Sequence, residues 1–280
     1  MHKTLDIHKF NMNRIKPDST CVLIGKRNSG KTFLIKDILF HKRNIPIGTI
    51  ISQTESNNGN FEEHMPSTFI HEKYTSSILK DVFKKQKNNI DSECAKYPNQ
   101  LKKNVVEHMK KYIKNYCFVL LDDCLSDAKV WKNDDYIKKI FYEGRHSLIF
   151  FLLTMQIPLG IPPGLRGNID FTFITLVNNA NDKKKIYENY AGCFENINDF
   201  KTVLDDCTEG YKCLVIDNTS RSNKIEDQVF WYEAKDNGAF KLCSEDTWNY
   251  HYYRLKQKKQ TISSTNTVGR NTITVNKYLG

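Results

Sequence analysis

Apolar positions along the chain follow two alternating rhythms. Short unbroken apolar runs recur at residues 19–24, 49–53, 116–121, 148–154 and 171–177, the pattern of strands covered on both faces. Between them, apolar residues fall three or four apart. This spacing predicts helices over 31–40, over 74–87 (where Ile78, Leu79, Val82 and Phe83 share a face), over 134–142, and around 181–191 and 197–205. A further helix is expected to start near Pro98, with Leu101, Val105, Met109, Tyr112 and Ile113 as its apolar stripe. Residues 69–71 form a shorter strand candidate, and 211–216 with 229–233 read as a closing antiparallel pair. Strand and helix in alternation predict an α/β fold with a mainly parallel central sheet flanked by helices and antiparallel strands at its C-terminal end.

Length and composition narrow this picture. The 280 residues allow one large domain or two small ones. The pattern places one body over 1–253, with a basic helical insert at 74–115. A polar, lysine-bearing tail follows over 254–280, expected to be mobile unless a partner orders it. The longest apolar run, 148–153, is far short of the roughly 20 residues of a spanning helix, and residues 1–10 hold no apolar leader core. No membrane-spanning segment is therefore expected. The eight cysteines form no C-x-x-C pair and no Cys/His cluster at zinc-finger spacing. Cys21, Cys117 and Cys213 lie inside strand patterns, where a free thiol acts as a small hydrophobe, so a reducing compartment is the simplest setting.

The formal net charge of +10 is unevenly spread. Residues 1–79 carry +4, residues 80–115 carry +6, residues 116–246 carry −6, and the acid-free stretch 247–280 carries +6. Two segments thus hold more than the whole surplus, and the central body is acidic. A concentrated surplus of this kind suits a polyanion.

The most specific motif is Gly25-Lys26-Arg27-Asn28-Ser29-Gly30-Lys31-Thr32, which fits G-x-x-x-x-G-K-[ST] between a strand and an amphipathic helix. Gly25, Asn28, Ser29 and Gly30 shape a loop whose N–H groups face phosphate oxygens, and the helix start adds partial positive charge. Lys31 is placed to bridge β- and γ-phosphates of ATP, and Thr32 to ligate Mg2+. A second motif, Cys117-Phe118-Val119-Leu120-Leu121-Asp122-Asp123, is an apolar strand ending in two acids, the form of a Walker B segment. Asp122 would orient the magnesium ion and Asp123 the attacking water. Adjacent carboxylates at a buried strand end repel each other and lose solvation, so they persist where a cation or a chemical task compensates. The strand over 148–154 is expected between the P-loop strand and the Walker B strand, with Gln156 meeting the γ-phosphate and Thr154 as the second choice. Hydrolysis also calls for a cation on the developing charge. Arg145 and Arg166 are candidates, either in trans from a neighbouring subunit or as ordinary surface arginines.

In this order the motifs resemble the genome-packaging ATPases of large DNA viruses of the poxvirus type, within the FtsK/HerA-like group of P-loop NTPases. The resemblance covers about residues 18–177. It rests on the P-loop, Gly48-Thr49-Ile50-Ile51-Ser52-Gln53-Thr54-Glu55, Pro66-Ser67-Thr68-Phe69-Ile70-His71, Leu120-Leu121-Asp122-Asp123, Gly144-Arg145-His146 and Thr154-Met155-Gln156. It implies a RecA-like fold with an additional strand, ATP and Mg2+ as cofactors, and a homo-oligomeric ring (pentamer or hexamer). The ring would drive double-stranded DNA into a capsid through a portal-like vertex, in the virion or the viral factory of the host cytoplasm. By position it implies Lys31, Thr32, Asp122, Asp123 and Gln156 as the working residues. Asp123 stands where cellular pumps of the group commonly carry Glu, and the shorter side chain leaves water further from the carboxylate.

The charge map then suggests that residues 80–115 and 247–280 approach the DNA, with Lys84, Lys85, Lys102, Lys103, Lys110 and Lys111 on phosphates; the alternative is two solvated helix faces. Six phosphate contacts would give a slope of log affinity against log salt of about −5. Tyr250, Tyr252 and Tyr253, interleaved with His251 and Arg254, suit either stacking on single-stranded bases or anchoring of the C-terminus. Competing readings are a HerA-like helicase or remodelling ATPase, a small-molecule kinase, and a nucleotide-bound vertex protein without turnover.

Overall fold

A computed structural model describes residues 4–124, 133–156, 158 and 160–267, with side chains described to residue 258. The end of the expected polar tail, 268–280, and positions 157 and 159 of the Pro/Gly-rich loop lie outside the described residues.

Nine strands, β1 (His8–Lys9), β2 (Thr20–Ile24), β3 (Ile47–Ser52), β4 (Ile70–His71), β5 (Cys117–Asp122), β6 (Ile149–Met155), β7 (Phe171–Ile174), β8 (Lys212–Asp217) and β9 (Val229–Glu233), form one sheet among the described residues. Their order is β1-β9-β8-β7-β2-β6-β5-β3-β4. The pairs from β7 through β2, β6, β5 and β3 to β4 are parallel, while β7–β8 and β8–β9 are antiparallel. The expected α/β architecture is therefore present, and β6 lies between β2 and β5. The two-residue β1, parallel to β9, is too short to leave a hydropathy signal.

The helices are α1 (Lys31–His41), α2 (Glu55–Asn58), α3 (Ser76–Ala95), α4 (Lys102–Met109), α5 (Asp135–Glu143), α6 (Pro163–Arg166), α7 (Ala180–Tyr190), α8 (Ile197–Cys207) and α9 (Glu245–Thr267). Alternate strand residues feed two cores. Val22, Ile24, Val119, Leu121, Phe151 and Leu153 point to the face covered by Leu79 and Phe83 of α3, Ile137 and Ile140 of α5, Ile186 of α7 and Phe200 of α8. Cys21, Leu23, Phe118, Leu120, Phe150 and Leu152 point to the face covered by Leu34, Ile35 and Ile38 of α1 and by Val105 and Met109 of α4. The unbroken runs in β5 and β6 follow directly, because both faces of these central strands are roofed by helices. Truncating a fully buried ring such as Phe151 would cost about 3–5 kcal/mol.

Three elements differ from expectation. Helix α3 runs to Ala95, two turns beyond residue 87. The Gln86 amide pins its middle by donating toward the carbonyls of Asn115, Ser147 and Leu148 at 2.9–3.1 Å. Helix α4 ends at Met109, so only Val105 and Met109 of the expected stripe are buried. Leu101 precedes the helix at 74% exposure, and Tyr112 and Ile113 are turned outward by the 3-10 turn Ile113–Asn115. Finally, α9 begins at Glu245 and runs on past position 254, read from the sequence as the start of a tail. Its anchor is one face: Thr247 Oγ1 donates to the Pro46 carbonyl (2.9 Å), Trp248 Nε1 to the Leu242 carbonyl (2.8 Å), and His251 Nδ1 bonds Thr68 Oγ1 (2.6 Å). Tyr252 and Tyr253 stay about half exposed. All eight cysteines are free thiols, with Cys21, Cys117 and Cys213 buried in strands. No helix among the described residues is long and apolar enough to cross a membrane.

Candidate functional site

Because β2, β3, β5 and β6 run parallel, the loops leaving Ile24, Ser52, Asp122 and Met155 meet along one edge of the sheet. The Gly25 N–H donates to the Met155 carbonyl (3.1 Å), which ties the start of the P-loop to β6. Gly25 has no room for a side chain unless Thr175 and Ser29 shift, since an added Cβ would lie 1.8 Å from Thr175 Oγ1. Ser29 is buried, and its hydroxyl bonds the Lys26 carbonyl (2.8 Å) and Thr175 Oγ1 (2.7 Å). That side chain braces the loop from behind, leaving only the Ser29 backbone for a ligand. Asn28 (φ +57°) and Gly30 (φ +84°) take left-handed conformations that close the turn and start α1.

Lys31 folds back over the loop, its Nζ donating to the Gly25 carbonyl (2.7 Å) and the Lys26 carbonyl (2.6 Å). Burial lowers its pKa, opposed by the charges of Asp123 and Asp122. Across the cleft, Asp122 is buried and accepts from Thr154 Oγ1 (2.8 Å) and Ser52 Oγ (3.2 Å). Burial raises its pKa; the two hydroxyls pull it down, the neighbouring Asp123 pushes it up, and Lys31 lowers it. The Thr154 hydroxyl also accepts the Asp123 N–H (2.9 Å) and so fixes both members of the acid pair. Asp123 sits at φ +51°, turned out of the strand, and both carboxylate oxygens accept from Gln156 Nε2 at 2.6 Å.

A cleft of ≈ 610 Å³ joins these groups, lined by Arg27, Asn28, Gly30, Lys31, Thr32, Asp122, Asp123 and Gln156, with Phe33, Thr54 and the asparagines 57, 58 and 60. Of the nine candidates in the P-loop, the acid pair and position 156, seven thus share one space, while Gly25 and Ser29 do not line it. Thr154, the second choice for a γ-phosphate contact, is fully buried with its hydroxyl committed to the acid pair. Two adjacent carboxylates with Lys31 as the nearby cation form an electrostatic imbalance that suits a hard divalent ion. Among the described residues no cluster of three or more His, Cys, Asp and Glu forms a metal cage. The donor set therefore fits an ion such as Mg2+, which keeps several waters and shares itself with phosphate.

The structure does not bring the two arginines to this cleft within one chain. Arg145 donates from Nη2 to Asp170 Oδ1 (2.9 Å), and Asp170 in turn bonds Thr20 at the opposite end of β2. Four strand residues separate Thr20 from the P-loop, about 15 Å. Arg166 donates to the Ile161 carbonyl (3.0 Å) and to Asn189 Oδ1, with its guanidinium over the Tyr190 ring. Of the candidate DNA lysines, Lys102 pairs with Asp91 (2.8 Å) and Lys110 with Glu107 (3.0 Å). Lys84, Lys85, Lys103 and Lys111 make no ion pair among the described residues.

Sequence reasoning gave no role to Ser52, Thr54, Asn57, Asn58, Asn60 or Thr175. The first five follow or end β3, so polar residues after a parallel strand next to the Walker B strand were the available signal. Thr175 carried none, because it extends the apolar β7 and acquires its role only by packing on Gly25.

No protein-family model matches the chain. It is 36% identical over 264 residues to the uncharacterized protein L437 of Acanthamoeba polyphaga mimivirus, covering 92% of this chain and 89% of L437. It is 34% identical over 237 residues to the uncharacterized protein 075L of Invertebrate iridescent virus 6, covering 81% and 83% respectively. Among solved structures, the genome packaging NTPase B204 of Sulfolobus turreted icosahedral virus 2, in complex with AMPPCP, superposes with a TM-score of 0.51 at 15% identity, over 79% of this chain and all of B204. The pCW3 conjugation coupling protein TcpA, with ATPgS, superposes with a TM-score of 0.51 at 13% identity, over 78% of this chain and 60% of TcpA. At such identities the likeness establishes the fold alone, one that this chain shares with B204 and TcpA.

Proposed function

The chain belongs to the viral protein family of L437 and 075L, and on that footing we propose that it is an ATP-hydrolysing motor that moves double-stranded DNA into a viral capsid. The observation that carries this reading is the linked set of Lys31 on the P-loop, Asp122 and Asp123 at the end of β5, and Gln156 beyond β6, held in register by the Thr154 hydroxyl. P-loop N–H groups and Lys31 would bind the β- and γ-phosphates, releasing the lysine from its own loop carbonyls. Thr32 and Asp122 would hold Mg2+, which neutralises developing charge on the phosphates when bound. Asp123 would align the attacking water and take its proton. Gln156, bonded to both oxygens of Asp123, would turn toward the terminal phosphate and so report its presence to that carboxylate.

B204 is a genome packaging NTPase, and the relatives of this chain are viral; both favour packaging. A ring of five or six copies at a portal-like vertex is part of the same proposal. The poxvirus-type assignment and a virion or viral-factory location belong to the same proposal. With Arg145 and Arg166 held away from their own cleft, either would act only in the cleft of a neighbouring copy, whereas Arg27 lines its own. TcpA shares the fold and is a conjugation coupling protein, which keeps a second reading in play: translocation of nucleic acid without packaging.

Turnover of ATP with and without long duplex DNA tests the motor. Stimulation by DNA that is lost in Lys31→Ala and Asp123→Asn supports it; turnover indifferent to DNA rejects it. With Lys102 and Lys110 already paired, four free lysines give a salt slope of about −3.6 for duplex DNA, and a slope shallower than about −2 removes residues 80–115 from the DNA path.

A further inference from the structure

We propose that Tyr211 is the platform on which the base of the bound nucleotide stacks, making the site prefer purine over pyrimidine nucleoside triphosphates. This rests on the phosphate-binding role proposed above for the P-loop.

Everything that would hold the terminal phosphate lies over β2, β6 and β5: Lys31, Thr32, Asp122, Asp123 and Gln156. On the other side of β2 come β7 and then β8. A nucleotide whose terminal phosphate faces Asp122 and whose phosphates follow the loop therefore carries its base toward β7 and β8. Strand β8 is antiparallel to β7, with Leu214 opposite Ile174, so the residues just before β8 stand on the same edge as the P-loop.

Those residues have an unusual backbone. Gly210 and Tyr211 are both left-handed, at φ +63° and +67°. Glycine adopts this freely, whereas a bulky aromatic does so only where its surroundings hold it. The effect is to turn the Tyr211 ring away from both cores, leaving it 76% exposed. The ring is not directed into bulk solvent, however. A Cβ placed on Gly30 would lie 3.5 Å from its Cδ1, so the ring rests against the glycine that opens α1. Among the described residues its hydroxyl makes no hydrogen bond and its face meets no other ring. Leu176, just past β7, adds a second exposed apolar side chain to this part of the rim. A flat unpaired ring beside a phosphate loop offers what a base needs, and stacking favours the larger purine surface. Phe33, another exposed aromatic near the loop, lines the phosphate cleft and borders a second cavity with Lys36, Glu63 and Lys235, and serves as the control position.

The test is equilibrium binding to the full chain in Mg2+, using ATP, CTP and inorganic tripolyphosphate. Wild type is expected to bind ATP more tightly than CTP. Tyr211→Ala should weaken ATP about tenfold and leave tripolyphosphate unchanged, while Tyr211→Phe keeps wild-type affinity. Tyr211→Gly suits the left-handed backbone and should lose ATP affinity with no loss of thermal stability, which separates binding from folding. Equal weakening of ATP and tripolyphosphate, unchanged ATP affinity, or a loss confined to Phe33→Ala would each overturn the assignment. If wild type binds tripolyphosphate but does not distinguish ATP from CTP, stacking fails while the phosphate site stands. If it binds neither ATP nor tripolyphosphate, the phosphate site fails, and Tyr211 with it.

Discussion

At the edge where β2, β3, β5 and β6 end, Asp122 and Asp123 stand side by side with no arginine or lysine in ion-pair contact among the described residues, and burial pushes Asp122 upward. At the edge where these strands begin, each acid has a base. Arg14 donates from Nε (2.9 Å) and Nη2 (2.7 Å) to Asp217, Arg145 holds Asp170 at 2.9 Å, and Lys110 approaches Asp18 at 3.9 Å. Both edges are polar clefts on one sheet, yet only one is electrostatically closed. A paired charge contributes to holding the fold, whereas a buried like-charged pair costs stability and is kept where a ligand supplies the missing cation. Left-handed residues occur at both edges, with Asn28, Gly30, Asp123, Gly210 and Tyr211 at the open one and Leu148, just before β6, at the closed one.

This contrast can be broken at several points. The largest effect is expected from Lys31→Ala and Asp123→Asn, each cutting ATP turnover by at least about 100-fold in a steady-state assay while leaving the circular dichroism spectrum unchanged. Gly25→Ala drives a methyl into Thr175 Oγ1 and should weaken nucleotide binding by more than about tenfold in a titration. Thr154→Val keeps the shape of the side chain but removes the hydroxyl shared by both acids. It should cost about 1–3 kcal/mol in urea unfolding and lower turnover, with Thr154→Ser restoring most of both.

Asp122→Asn is expected to abolish Mg2+-dependent turnover and yet raise the thermal midpoint by a few degrees, about 1 kcal/mol. Its amide can accept from Thr154 and donate to Ser52. The sign follows from the raised pKa: the folded state holds the Asp122 proton more tightly than the unfolded chain does. The associated stability is present below the unfolded carboxylate pKa and is lost as pH rises through the folded one. The stability gap between variant and wild type should therefore open as pH rises through that interval and close again in acid. The smallest effect belongs to the closed edge. Arg145→Ala breaks a half-exposed pair and should change unfolding free energy by no more than about 1 kcal/mol. A larger loss would show that edge to be more than a set of surface ion pairs.

How much of this was legible in the chain differs by element. Strands β2, β5 and β6 were readable because both faces are buried, so sequence and burial coincide. The loop Gly25–Thr32 and the acid pair were readable as motifs of fixed spacing, and the structure brings residues of both to one cleft. Helix α9 was not, since its polar composition gives a weak helical signal and its fixed face is set by Pro46 and Thr68 from distant parts of the chain, with Leu242 just before it. The surplus of residues 80–115 was legible as a net charge and not as a surface, because a sum does not say which lysines Asp91 and Glu107 hold. Arg145 follows a helix and precedes β6, and only the strand direction decides that it stands at the end of the sheet away from the phosphates.

By itself, then, the sequence determined what local rules govern: the alternation of strands and helices, the phosphate loop, and the two acids that end β5. The tertiary structure alone decided which groups meet. It placed Thr154 between Asp122 and Asp123, Gln156 on both oxygens of Asp123, Thr175 behind Gly25 and the Tyr211 ring against Gly30. Those contacts join residues up to 181 positions apart, reached through the strand order and crossovers of the sheet, and no spacing along a single chain encodes a separation that the fold has still to close.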